Sequence, residues 1–85
     1  MTKIFTDDAW NDILYWVHEN RKLVDKIYEL IRSIERNGAD KGIGKPERLR
    51  HYPGWSRRIN QEHRLIYKVD GENLHIISCR GHYEE

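Results

Sequence analysis

Residues 55–69 read WSRRINQEHRLIYKV, and their apolar side chains recur at every second position. A period of two is typical of strands, whose alternate side chains face opposite sides of a sheet. The pattern predicts two strands that direct these side chains inward: Trp55 and Ile59 from the first, with Arg57 at the same parity, and Leu65, Tyr67 and Val69 from the second. The polar stretch NQE between them is a turn signal, so residues 55–69 predict an antiparallel hairpin.

A further strand is predicted after the turn signal DGEN at residues 70–73. The segment LHIISCR has apolar residues at both parities, and we expect Ile77 and Cys79 to face the interior. Arg80 and, two residues later, His82 would then face away from it. The exposed face of the predicted sheet collects four basic side chains: Arg58, Arg64, Arg80 and His82.

The N-terminal half predicts two helices, because its apolar period lengthens to about 3.6 residues. KIF, at residues 3–5, is a short strand candidate, and Thr6 followed by two aspartates predicts a helix N-cap. The first helix has its apolar stripe at Trp10, Ile13, Leu14 and Val17 and ends near Asn20. The second has its stripe at Leu23, Ile27, Leu30, Ile31 and Ile34, and NGADKGIGKP ends it. The sequence therefore predicts one α+β domain over residues 1–85, with two N-terminal α-helices packed on one face of a small antiparallel β-sheet.

Composition limits the kind of site that the chain can build. With 85 residues, 38% hydrophobic and 34% charged, the chain has material for only a small core, so we expect a surface site. The single cysteine, Cys79, excludes an internal disulfide, and no apolar run is long enough to span a bilayer. The opening MTKIFTDDAW lacks the features of a signal peptide, so we expect a cytoplasmic protein without a membrane partner.

Basic residues concentrate in the middle of the chain, although the net charge is only +1. Residues 41–68 hold eight Lys/Arg and two Asp/Glu, a charge of +6, whereas the segments before and after carry −2 and −3. Such a segment is either a solvated basic face or a docking surface for a polyanion. The basic face of the predicted sheet favours the polyanion.

The motifs indicate neither a metal site nor a cofactor. Structural zinc needs four ligands, which Cys79 and His82 do not supply, and GIGKPE lacks the spacing of a phosphate-binding P-loop. Glu47, several arginines and His82 remain as candidate reactive groups. These groups suffice to cleave RNA without a metal. A base removes the 2'-OH proton, cations stabilise the charged phosphorane, and an acid protonates the leaving 5'-oxygen.

Four stretches then identify a resemblance: FTDDAWNDILYW, GKPERLRH, GWSRRINQEHRLIYKV and CRGHY. In this order and at nearly this spacing, they resemble the YoeB/Txe branch of the RelE-like toxins, and the similarity covers residues 3–83. The resemblance implies the RelE-like microbial RNase fold of two helices and an antiparallel sheet. It also implies entry into the ribosomal A site, cleavage of messenger RNA there, and a co-encoded antitoxin that suppresses this activity.

The resemblance also implies roles for individual residues. Glu47 would be the general base, Arg64 would stabilise the transition state, His82 would be the general acid, and Tyr83 would stack on a base or fix the histidine. Four further residues are expected to contact RNA: Lys45, His51, Arg58 and Arg80. Simpler alternatives stay open at three positions. Glu47 could pair with Arg48 or Arg50, Arg57 is expected to extend along an edge of the sheet, and His63 could stabilise a turn.

The expected partners are messenger RNA, the ribosome with its A-site rRNA, and an acidic, partly disordered antitoxin of the YefM/Phd type. The resemblance also allows a homodimer. The alternative function is a catalytically inactive module that binds RNA or the ribosome and is regulated by an antitoxin.

Overall fold

Five strands and two helices make up the computed structural model, which describes residues 1–82. In chain order they are β1 (Thr2–Phe5), α1 (Asp7–Glu19), α2 (Arg21–Asn37), β2 (Glu47–Arg48), β3 (Trp55–Arg58), β4 (Arg64–Asp70) and β5 (Asn73–Ser78). The predicted α+β class, the two helices and the predicted hairpin are confirmed. In this part of the chain, no helix combines the length and the apolar character needed to cross a bilayer.

The five strands form one sheet in the order β1-β5-β4-β3-β2. The neighbours from β5 to β2 pair antiparallel, as predicted. β1 instead lies parallel to β5, with Thr2 opposite Asn73 and Phe5 opposite Ile76. Parallel neighbours need a crossover connection, and α1 and α2 lie in the long segment that joins these two strands. The prediction of a wholly antiparallel sheet is therefore corrected at this edge.

Thr6 joins the start of α1 to the sheet. Its Oγ1 accepts a hydrogen bond from the Ala9 backbone N–H at 3.0 Å, which confirms the predicted N-cap. The same hydroxyl donates to the Ile77 carbonyl at 2.6 Å, so the first turn of α1 is tied to β5. α1 ends at Glu19, next to the predicted Asn20, and α2 ends before Gly38.

The core lies between the helices and one face of the sheet. Its fully buried members include Ile27, Leu30 and Ile34 from α2 and Leu65, Tyr67, Leu74 and Ile76 from the strands. The prediction that Ile77 faces this core is wrong, because Ile77 is an extra residue in the ladder. Ile66 and Tyr67 of β4 pair with Ser78 and Ile76, which leaves Ile77 unopposed. This bulge restores an inward direction at Cys79, which is fully buried.

Arg57 is also fully buried, and the expectation that it extends along an edge is wrong. Its Nε donates to the Tyr67 hydroxyl at 2.8 Å, and Nη1 donates to Ser33 Oγ at 3.0 Å. The same guanidinium donates to four backbone carbonyls, those of Gly38, Ala39, Lys41 and Ile43, at 2.6 to 3.4 Å. A buried guanidinium is tolerated only when its N–H groups have acceptors, and the α2–β2 loop supplies them.

The loop between α2 and β2 therefore wraps around the Arg57 guanidinium. Tyr67 completes the arrangement, because its hydroxyl donates to the Ala39 carbonyl at 2.6 Å. Burial raises the pKa of this hydroxyl, while the hydrogen bond from Arg57 opposes the rise, so Tyr67 stays neutral and able to donate. The loop leads directly into Lys45 and Glu47, so the core sets the path of the segment that carries them.

Candidate active site

The sheet face opposite the helices collects polar residues from three strands. Glu47 of β2 pairs with Ser56 of β3, and Arg58 of β3 pairs with Arg64 of β4. Residues two apart on a strand share a face, and the intervening Arg57 is in the core. Glu47, Arg58 and Arg64 therefore project from the outer face, as the alternation predicts for the two arginines.

A depression of about 250 Å³ lies on this face. Nine residues line it: Lys45, Glu47, Arg48, Leu49, Arg50, Ser56, Arg58, Arg64 and His82. The predicted base, transition-state arginine and acid thus share one site with two of the predicted RNA contacts. Five lysine and arginine side chains surround a single carboxylate, a balance that suits an anionic ligand.

Arg58 and Arg64 stand directly opposite each other across β3 and β4. Like charges at opposed positions destabilise a sheet unless an anion can lie between them. The Arg64 Nη1 donates to the Asn60 carbonyl at 2.8 Å and to the His63 carbonyl at 3.2 Å, which fixes the direction of this side chain. Arg64, held in this way, and Arg58 beside it both line the depression, and together they form a clamp suited to phosphate.

Glu47 is exposed at the surface of the depression. Among residues 1–82 it forms no ion pair with Arg48, whose guanidinium lies 5.7 Å from the centre of the Trp55 ring. Lys45, two residues earlier, has a φ of +51, an angle that non-glycine residues adopt uncommonly. Such local strain is a feature of functional loops and sets the direction in which Lys45 enters the depression.

His82 reaches the depression from the segment that follows β5. The Cys79 backbone N–H donates to Asp12 Oδ2 at 2.9 Å, and Trp16 Nε1 donates to the Cys79 carbonyl at 2.9 Å. Gly81 is held in turn, because its carbonyl accepts from the Arg64 backbone N–H at 3.0 Å. The backbone is therefore still attached to the sheet at Gly81.

Two predicted RNA contacts lie elsewhere. The prediction that Arg80 shares the face of Arg58 is wrong, because the Arg80 guanidinium lies 3.6 Å from the centre of the Tyr15 ring on α1. β5 ends at Ser78, so the strand alternation on which that prediction depended does not extend to Arg80. His51 is exposed but does not line the depression. Tyr83 falls outside the described residues.

Sequence reasoning missed four residues that line the depression: Arg48, Leu49, Arg50 and Ser56. Ser56 could have been found from its parity with Arg58. The other three depend on β2, whose two residues are too few for a periodic signal. Within residues 1–82, no three His, Cys, Asp or Glu side chains lie close enough to share a metal ion.

The fold agrees with comparisons to known proteins. A family model described as "YoeB-like toxin of bacterial type II toxin-antitoxin system" matches residues 5–83. The chain belongs to this toxin family. The YoeB toxin of Escherichia coli K12 is 45% identical over 85 residues, covering 98% of this chain and 100% of the relative.

Solved YoeB structures have the same fold as this YoeB-family chain. A YoeB dimer from Staphylococcus aureus matches with a TM-score of 0.93 at 47% identity, covering 98% of each chain. A heterotetrameric YoeB-YefM toxin-antitoxin complex from the same organism matches with a TM-score of 0.91, also at 47% identity and 98% coverage of both chains. The predicted family and fold are thereby confirmed.

Proposed function

We propose that this YoeB-family toxin is an endoribonuclease that cleaves messenger RNA in the ribosomal A site and so inhibits translation. The observation that carries the proposal is the single depression lined by Glu47, Arg64 and His82. A carboxylate, an imidazole and an arginine suffice as base, acid and charge stabiliser for metal-independent RNA cleavage. The depression is open at the surface, as it must be for a substrate that remains bound to a much larger particle.

The proposed reaction is a transesterification. Glu47 accepts the proton of the 2'-OH, the 2'-oxygen forms a bond to phosphorus, and the bond from phosphorus to the 5'-oxygen breaks. His82 donates a proton to that leaving oxygen, and Arg64 stabilises the additional negative charge of the phosphorane. The products are a 2',3'-cyclic phosphate and a 5'-hydroxyl. No oxidant and no metal enters this balance.

The remaining predicted residues serve binding in this proposal. Lys45 and Arg58 line the depression and would hold phosphates on either side of the cleaved bond. Tyr83 would stack on a base next to His82. His51 and Arg80 lie outside the depression, where they would contact flanking RNA or ribosomal RNA.

An antitoxin and a second toxin copy are the proposed protein partners. The YoeB of Staphylococcus aureus is found both with YefM and as a dimer. In this chain, a second concavity of about 550 Å³ lies beside β1 and both helices, and its apolar lining includes Phe5, Ile13, Val24 and Ile27. An amphipathic antitoxin segment with acidic flanks fits such a groove on a toxin with a basic face. The toxin would act and be suppressed in the cytoplasm.

The deciding experiment uses programmed ribosomes and a message with one 2'-deoxy nucleotide at the mapped cut site. The unmodified message should be cut, and its 5' fragment should end in a cyclic or 3'-phosphate. The modified message should resist cleavage at that bond, because the attacking oxygen is absent. Cleavage of both messages at the same bond would exclude 2'-OH attack. Stalled ribosomes on intact unmodified messages would instead favour the binding module without catalysis.

A further inference from the structure

His63 lies where the β3–β4 turn meets the segment that carries His82. Its Nδ1 accepts a hydrogen bond from the Gly81 backbone N–H at 2.8 Å. Its ring also makes an edge contact with Trp16 of α1, with the ring centres 4.6 Å apart. One half-buried imidazole thus touches a helix and the residue immediately before the proposed acid.

The turn around His63 is itself well ordered by hydrogen bonds. Asn60 Oδ1 accepts from the backbone N–H groups of Glu62 and His63 at 2.9 and 2.8 Å. The His63 carbonyl accepts from the Ile59 backbone N–H at 2.9 Å. These bonds exceed what a short connection needs in order to reverse direction. They fix the point from which the His63 ring projects.

His82 lies beyond β5, which ends at Ser78. Its position depends on the bonds that hold the intervening residues. Asp12 and Trp16 hold Cys79, and the β4 end holds both backbone groups of Gly81. Among these side-chain hydrogen bonds, the one that His63 makes to Gly81 is nearest to His82 along the chain. Gly81 has a φ of +82. Glycine adopts this backbone angle without strain because it has no Cβ, and the chain reaches His82 through it.

From this geometry we infer that His63 is a positioning residue, which aims the proposed acid His82 at the depression by binding the Gly81 N–H. In this contact the Nδ1 nitrogen is the acceptor and the Gly81 N–H is the donor, so the side chain must offer an acceptor at this point. The inference rests on the proposed role of His82. It assigns to His63 a purpose beyond the turn alone, and it predicts an effect on the rate of cleavage.

Two variants separate positioning from packing. His63→Leu keeps an apolar contact with Trp16 but removes the acceptor, whereas His63→Asn offers an amide oxygen at nearly the same reach as Nδ1. We expect His63→Leu to lower single-turnover cleavage at saturating ribosomes by on the order of 10²-fold, the usual effect of a misplaced reacting group. The ribosome concentration for half-maximal rate should stay the same. His63→Asn should recover most of the lost rate.

His75→Leu is the matched control, because His75 is a half-buried histidine of β5 that does not line the depression. His75→Leu should cleave RNA at the wild-type rate when the two proteins are folded to the same extent. Circular dichroism measures the folded fraction of each. A His63→Leu variant that cuts within about twofold of wild type would overturn the inference, as would a His63→Asn variant as slow as His63→Leu.

Hydrogen exchange of the Gly81 amide tests the contact without relying on cleavage. We expect protection in the wild type and His63→Asn and faster exchange in His63→Leu. Equal exchange rates of the Gly81 amide in all three proteins would show that the hydrogen bond from Gly81 to His63 does not form in solution. If the wild type cuts no message on ribosomes, the proposed function fails, whereas failure of the inference alone leaves an active wild type and an equally active His63→Leu.

Discussion

At the residue scale, Arg57 and Arg58 are sequence neighbours with opposite surroundings. Arg57 is fully buried and bonded to carbonyls of the α2–β2 loop, whereas Arg58 is exposed at the depression. Strand alternation places them on opposite faces of the sheet, and the carbonyls of the α2–β2 loop let the inward one be buried. One arginine therefore stabilises the protein, and the other is available to an anion.

This contrast predicts different costs for the same substitution. Arg57→Met removes six hydrogen bonds from the core and leaves the carbonyls of Gly38, Lys41 and Ile43 without the donor that Arg57 supplies, so we expect the free energy of unfolding to fall by about 3 kcal/mol or more. Arg58→Met should change it by no more than about 0.5 kcal/mol. Urea unfolding of both variants measures the difference. Similar values for the two would contradict the assigned role of Arg57.

The proposed reactive groups predict large effects on rate. Glu47→Ala and His82→Ala should each lower single-turnover cleavage by about 10²- to 10⁴-fold, the range for proton-transfer groups. Arg64→Ala should cost roughly 10²- to 10³-fold, as expected for a group that stabilises developing charge. Glu29→Ala, an exposed carboxylate on α2, is the control and should cut normally. A normal rate for Glu47→Ala at saturating ribosomes would show that another group is the base.

At the scale of elements, the α2–β2 loop has a shape set by what it encloses. Gly42 has a φ of +114, and a Cβ placed there would lie 2.9 Å from the Arg57 Nη1 and 2.8 Å from the Asn37 Nδ2. The glycine lets the loop approach the guanidinium closely enough for its carbonyls to bind. The loop thus depends on Gly42 as much as on Arg57.

Gly42→Ala should therefore destabilise the protein by both strain and overlap, and we expect a loss of about 2 kcal/mol or more. Gly71→Ala is the matched control. Gly71 also has a positive φ, +58, but a Cβ there would have no neighbour within 4 Å. The free energy of unfolding of Gly71→Ala should therefore fall only by the conformational cost, about 1 kcal/mol. Thermal unfolding of both variants tests the prediction, and an equal loss would mean that crowding around Arg57 is unimportant.

The elements divide into those that sequence could predict and those that it could not. The helices, the Thr6 cap and the β3–β4 hairpin depend on local periodicity and turn residues, which the sequence displays directly. The bulge at Ile77, the parallel placement of β1 and the burial of Arg57 depend on partners distant in the chain. For the same reason, Glu47, Arg64 and His82 could be named from motifs, but the positions of Arg80 and Arg48 could not.

At the scale of the whole molecule, the two sides of the sheet have separate tasks. One side packs on the helices and supplies the stability, while the other carries the proposed chemistry on exposed side chains. Cys79 belongs to the first side although it lies only three residues before His82. Burial, with Asp12 adding to it, raises the pKa of the Cys79 thiol to about 12.

This pKa predicts a loss of stability in alkaline solution. Between about pH 9 and pH 12, the unfolded thiol has lost a proton that the folded thiol retains. The unfolded state then binds fewer protons, so the free energy of unfolding falls as pH rises, by up to about 1.4 kcal/mol per pH unit from this group. Below about pH 9 the contribution is constant. Urea unfolding from about pH 8 to about pH 10.5 should show a smaller decline for Cys79→Ala, and parallel declines would refute the assignment.

The parallel pairing of β1 with β5 also determines when the molecule can become complete. The hydrogen bond from Thr6 to Ile77 joins residues 71 apart in sequence, and β1 has its only strand neighbour within residues 1–82 in β5. Contacts of such long range are slow to form, because the intervening chain must first close into a loop. During translation, β1 is made long before β5 and cannot pair until residues 73–78 have been synthesised. We therefore expect this edge of the sheet, and the Thr6 bond that ties α1 to it, to form only after synthesis has passed β5, so that a partly made chain lacks the native sheet.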